Sequence, residues 1–178
     1  MLKGIIRESI TKAGTNALRK DGYLIANIYG KGFENINAAF KMNEYIRAVR
    51  NKETLAFAIE LDGKKLDVVV QGYDSHAVTG NLLHVDLMVA AKGLVTHYMV
   101  PVIAEGEALG VKNKGLVYLA KKRLRVKAAI ENVPNSIVVD VTPMDVGDSC
   151  LIRDLAAIKN VTFTDTERVG VLSIIKAK

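Results

Sequence analysis

Apolar and polar residues alternate with a period of two over much of the chain, the pattern of strands with one buried face. Together with short β-branched blocks, the alternation predicts strands over Leu2–Arg7, Ile25–Tyr29, Thr54–Leu61, Lys64–Gln71 and Leu82–Val89. Asp62-Gly63, within LDGKKL, predicts a tight hairpin turn between the third and fourth of these. One helix is predicted over Asn43–Asn51, with Asn43 as its cap and Tyr45, Ile46 and Val49 on one face. The polar stretch from Lys12 to Gly22 reads as a loop with a helical turn ending at the glycine. After Val89 comes AAKG, small and uncommitted, and the domain boundary is placed there, giving domains 1–90 and 91–178. Further strands are predicted at Val95–Ile103, Arg123–Ile130, Ser136–Val141, Cys150–Ile152, Val161–Phe163 and Val169–Ile175. Turn signals in GEALG, ENVPN and PMDVGD separate them. The expectation is a mainly β protein of two β-rich domains with one or two short helices; turn spacing does not choose between sandwich and barrel for the second.

The stretch GNLLHVDL, Gly80 to Leu87, breaks the apolar pattern. On a strand, side chains at i and i+2 share a face. Leu83, Val85, Leu87 and Val89 therefore form an apolar face directed at a core, and Leu82, His84, Asp86 and Met88 form the other. His84 and Asp86 point outward side by side, their Cα atoms about 7 Å apart by strand geometry. Upstream, Gln71 ends a strand suited to lie beside the one carrying His84, and its amide both donates and accepts. Tyr29 closes a short apolar strand before Gly30 and Gly32, as a core-edge residue or as a ring offered to a ligand. These glycines form no nucleotide phosphate loop, because GxxxxGK[ST] is absent.

Charge adds an anionic partner to this picture. The 178 residues carry a net charge of +6 and are 49% hydrophobic, enough for a packed core. Basic groups cluster at Lys3, Arg7, Lys12, Arg19 and Lys20, against one acid, Glu8, and again over residues 112–127, where no acid occurs. No apolar run is long enough to span a membrane, and the first residues lack a signal-peptide core, so a cytoplasmic location is expected. The single cysteine, Cys150, reads as a small core residue and no cofactor is implied. A rival reading is a small metal-dependent or acid–base enzyme centred on His76, His84 and Asp86. The spacing H-x7-H-x-D matches no standard ligand set, and no nucleophile elbow is present, so a non-enzyme is expected.

Several of these segments, in order, resemble one family. GTNALRKDGYLIANIYGKG and VVVQGYDSHAVTGNLLHVDL resemble signature segments of the bacterial large-subunit ribosomal protein L-twenty-five family. PVIAEGEALGVKNKG and VPNSIVVDVTPMDVGDSCLIRDL resemble the additional C-terminal domain of its longer, general stress protein CTC form. The resemblance implies a small N-terminal β-barrel that binds 5S rRNA on the minor-groove side of loop E, within the large ribosomal subunit. It further implies that Gln71, His84 and Asp86 read the groove and that Tyr29 contacts the RNA. Arg7, Lys12, Thr15 and Arg19 would engage backbone and groove edges. Family members carry arginines around Asn16 and Ala17, where this chain reads TNALRK. Phosphate anchoring is expected to be weaker in that loop, or to shift to Lys12, Arg19 and Lys20.

Overall fold

Alternating apolar residues close six strands into a barrel in the first of two units, Met1–Leu94 and Val95–Lys178. The computed structural model describes residues 2–7 and 10–176. Glu8, the acid of the N-terminal basic cluster, lies outside them. The elements of the first unit are β1 (Leu2–Ile6), α1 (Lys12–Lys20), β2 (Tyr23–Gly30), β3 (Phe33–Lys41), α2 (Met42–Arg50), β4 (Phe57–Leu61), β5 (Lys64–Ser75) and β6 (Leu82–Val89). Around the barrel they run β1-β3-β2-β6-β5-β4, and a parallel β1–β4 pairing closes the ring. A second parallel pairing joins β2 to β6, and the other neighbours are antiparallel. Closure leaves no open sheet edge, so backbone donors and acceptors find partners around the ring.

The period of two decides which side chains enter the barrel. On β2, Leu24, Ala26 and Ile28 join the core while Asn27 and Tyr29 stay partly exposed. On β6, Val85 and Leu87 do so, as expected. At the start of β6 it is Leu82, not the expected Leu83, that packs against the core. The pairing of β5 with β6 is irregular between Asp74 and Ser75, which resets the alternation there.

Three local readings change. Residues 12–20 form a full helix rather than a loop with one turn. Thr11 caps it, its hydroxyl accepting from the Gly14 N–H at 3.2 Å, and Gly22, at φ +79°, ends it in the left-handed conformation that glycine tolerates best. Helix α2 begins one residue before Asn43; Lys41 occupies the cap position, with no side-chain cap bond among the described residues. Its buried stripe is Tyr45 with Ala48 and Val49, and Ile46 is exposed. Tyr45 meets Phe57 edge-on, ring centroids 6.3 Å apart. Strand β3 has no counterpart among the predicted strands. Its Glu34, Asn35 and Asn37 disfavour strands, but Ile36, Ala38 and Phe40 alternate into the core and override that preference.

The second unit contains β7 (Val95–Glu105), α3 (Leu109–Lys112), β8 (Gly115–Leu119), β9 (Arg123–Ala129), β10 (Ile137–Asp140), β11 (Ser149–Leu151), β12 (Thr162–Phe163) and β13 (Gly170–Lys176). These form two sheets, β10-β7-β9-β12 and β11-β13-β8. Strand β8 and the short α3 lie outside the predicted elements. Cys150 packs, half-buried, against the cluster of Ala108, Val141, Leu172 and Ile174, and burial raises its thiol pKa. On β9, Leu124, Val126 and Ala128 are buried, so Arg123, Arg125 and Lys127 share the opposite face. Lys121, beside them in sequence, is paired with Asp165 at 2.7 Å.

Candidate nucleic-acid interface

Strand register sets polar groups side by side on the outside of the barrel. Four strands, β3, β2, β6 and β5, contribute. One row across them reads Asn37, Asn27, Asp86 and Gly72. The next reads Ala39, Ile25, His84 and Asp74, and a third, on the other side, Tyr29, Met88 and Val69. Ala39, Ile25, Val69 and Met88 are buried. The polar row thus runs between buried apolar residues on either side. With strands about 4.8 Å apart, it spans about 14 Å.

The pair that broke the apolar pattern faces outward. The His84 and Asp86 side chains are 27% and 43% exposed, with His84 Nδ1 3.6 Å from Asp86 Oδ1. That separation is too long for a hydrogen bond but close enough for attraction when the ring is protonated. Gly72 stands opposite Asp86; a Cβ there would lie 3.1 Å from Asp86 Oδ2. Gln71 does not end its strand. It is the extra residue of a bulge between Val70 and Gly72, within a strand that continues to Ser75. A bulge sets two residues opposite one and keeps Gln71 on the Asp86 side with Gly72. Tyr29 joins the group electrostatically: burial first, and the Asp86 carboxylate second, raise its phenol pKa above the ordinary value. Its hydroxyl therefore stays a neutral donor at neutral pH.

Helix α1 brings the basic residues alongside. It packs beside β2. Lys12, Thr15 and Arg19 fall on one helical stripe, at spacings of three and four. The Arg7 guanidinium donates to the Thr15 hydroxyl at 2.6 Å, and that hydroxyl donates to the Thr11 carbonyl at 2.9 Å. At the other end, Arg19 donates to the Leu83 carbonyl at 3.1 Å, the residue before His84. The structure therefore joins Arg7 to Thr15 and Arg19 to β6. Lys12 is exposed on the first turn of the same stripe.

His76 does not join His84 and Asp86. Its Nδ1 accepts from the N–H groups of Val78 and Thr79, at 3.3 and 3.2 Å, and so closes its own turn. Among the described residues no group of three His, Cys, Asp or Glu is placed to hold a metal ion, and the three-ligand arrangement is corrected. No described helix is long and apolar enough to cross a membrane. Asn27, Asn37 and Gly72 were not singled out from sequence. Asn27 shares the face of Tyr29 by alternation, and a glycine inside a strand pattern is the usual mark of a bulge, so both signals were present.

Comparison with known proteins assigns this architecture. A family model described as the Ribosomal L25p family matches residues 2–87, nearly the whole first unit. A second, described as the C-terminal domain of ribosomal protein TL5, matches residues 95–178. The chain is 70% identical to the large ribosomal subunit protein bL25 of Sulfurimonas denitrificans, over the full length of both. The chain belongs to the Ribosomal L25p family. It is 55% identical to the protein of the same name from Campylobacter lari and 53% to that from Helicobacter hepaticus, again over both full lengths. As an L25p family member carrying the TL5-type C-terminal domain, it is a protein of the large ribosomal subunit in its longer form. These relatives carry the name of a ribosomal protein and not of an enzyme.

Proposed function

We propose that the outer face of β3, β2, β6 and β5, with α1, binds 5S rRNA on the minor-groove side of loop E. The observation that carries this reading is the cross-strand row of short polar side chains flanked by buried apolar residues, beside a basic helix. An RNA minor groove is wide and shallow and displays base edges and 2′-hydroxyls. Short side chains on a sheet face reach such a surface. Gln71, His84 and Asp86 read it, and Tyr29 donates its hydroxyl at the rim. Arg7, Lys12 and Arg19 neutralise phosphates along the α1 side, while Thr15 holds Arg7 in position. An acid close to phosphates is unfavourable unless it accepts a specific hydrogen bond. Asp86 does so from a guanine amino group or a ribose hydroxyl, and it orients His84.

Titration of the full chain against an isolated loop E duplex and a scrambled duplex tests this. Three to four neutralised phosphates predict a roughly 40- to 150-fold loss of affinity between 50 and 200 mM salt. Tight, salt-sensitive binding that prefers the native duplex is expected. Equal affinity for both duplexes, or a flat salt response, contradicts the proposal. Asp86→Asn is expected to lose about tenfold or more in affinity for the native duplex, since bonds to charged acceptors are worth about 1.5–3 kcal/mol. Unchanged affinity and selectivity would remove Asp86 from the contact set.

A further inference from the structure

Asn27 occupies the centre of the polar row, the register partner of both Asn37 and Asp86. Its Oδ1 is buried, and no donor among the described residues reaches it. Strand β2 otherwise matches its environment. Its inward positions are apolar, and the outward Ile25 is apolar and buried. An apolar side chain at position 27 would cost nothing in hydrogen bonding, whereas a covered acceptor without a donor carries its full desolvation penalty. Buried polar atoms are nearly always satisfied, and the exceptions call for a cause.

We infer that Asn27 is a further groove-reading residue, whose carboxamide completes its hydrogen bonds only on RNA. The inference rests on the RNA-binding reading of this face. The last torsion of asparagine is broad and roughly two-fold, so the amide turns over at little cost. On RNA the turn brings Oδ1 to the groove, and the NH2 group takes its place in the row where the register partners Asp86 and Asn37 carry acceptor oxygens. The outward oxygen then accepts from a donor in the shallow groove, either a guanine 2-amino group or a ribose 2′-hydroxyl. A donor to Asn27 and a donor to Asp86 side by side would make this part of the face selective for one local pattern of groove donors.

The test uses the full chain with Asn27→Leu, close to isosteric, and Asn27→Ala in case leucine does not fit. Thermal melting is measured without RNA. Affinity is then measured for the native loop E duplex, for duplexes with inosine replacing single guanines, and for duplexes with single 2′-deoxy substitutions. The variants are expected to melt at or above the wild-type temperature and to bind the native duplex about tenfold more weakly. On the one duplex lacking the donor, wild type and variant should bind equally. Inosine identifies the amino group and deoxyribose the hydroxyl. Unchanged affinity overturns the inference, whatever the melting temperature. A difference that persists on every substituted duplex overturns it as well. If the wild type fails to prefer the native duplex, it is the RNA-binding reading itself that falls.

Discussion

Gly72→Val is expected to leave the barrel folded and to weaken binding to the loop E duplex about a hundredfold. The two halves of this expectation have separate causes. Gly72 lies in a strand without a positive φ, and valine suits a pleated backbone, so the fold should tolerate the change. The binding face should not. A Cβ alone would lie 3.1 Å from Asp86 Oδ2, and the two methyl groups beyond it must occupy the space in front of the carboxylate. Asp86 is then displaced and the flat face acquires a ridge. The lost charge-accepting bond accounts for about 1.5–3 kcal/mol, and a surface held off its partner loses the neighbouring contacts too. Circular dichroism melting and the duplex titration together check it. A folded Gly72→Val chain with wild-type affinity would show that the bulge region does not touch RNA.

The second large effect concerns the seam that closes the barrel. Gly4, on β1, pairs with Phe40 of β3 on one side and with Leu61 of β4 on the other. A Cβ at this position would overlap the Phe40 ring and lie 2.8 Å from a Leu61 methyl. Phe40 and Leu61 are both core residues, at 0% and 2% exposure, with no room to retreat. In an open strand, Gly→Ala commonly stabilises by about 0.4–1 kcal/mol through the unfolded chain. Here overpacking of about 3 kcal/mol should outweigh that gain, so Gly4→Ala is expected to destabilise the barrel by about 2 kcal/mol. For a unit of this size, that lowers the melting temperature by about 8–16 °C. Phe40→Leu removes part of the obstructing ring. Combined with Gly4→Ala it should cost less than the sum of the two single changes by about 1 kcal/mol, because the residues touch. A neutral or stabilising Gly4→Ala, or strict additivity, would show that the strands do not approach as closely as described.

The same physics explains which parts of the molecule were legible from residues alone. Strands β2, β4, β5 and β6 carry β-branched blocks with a clear period of two, so their existence could be read, and on β6 the inward direction of Val85 and Leu87 as well. Strand β3 could not, because Glu34, Asn35 and Asn37 crowd its first half and only tertiary packing makes it a strand. Helix α1 was obscured for a related reason. It spans only nine residues, carries an internal Gly14 and buries no residue, so little apolar surface marks it; its cap at Thr11 and its stop at Gly22 define it instead. For the candidate face, alternation was enough to turn His84 and Asp86 to one side of their strand. It says nothing about which strands are neighbours. That Asn27, Asn37 and Gly72 stand in a row with Asp86 depends on the order β3-β2-β6-β5 and on a bulge at Gln71, both of which are properties of the closed barrel. The rejected three-ligand arrangement failed on the same ground: His76 is eight residues from His84, but its ring closes a turn of its own.

The most direct measurement is a map of backbone amide chemical shifts of the full chain, free and with one equivalent of loop E duplex. The largest changes are expected on α1, on Asn27 and Tyr29 of β2, on Gln71 and Gly72 of β5, and on His84 and Asp86 of β6. Residues of α2 should stay near their free positions. Changes concentrated on α2 or on the inward-facing positions of the barrel, with the His84–Asp86 face unmoved, would contradict RNA binding by that face.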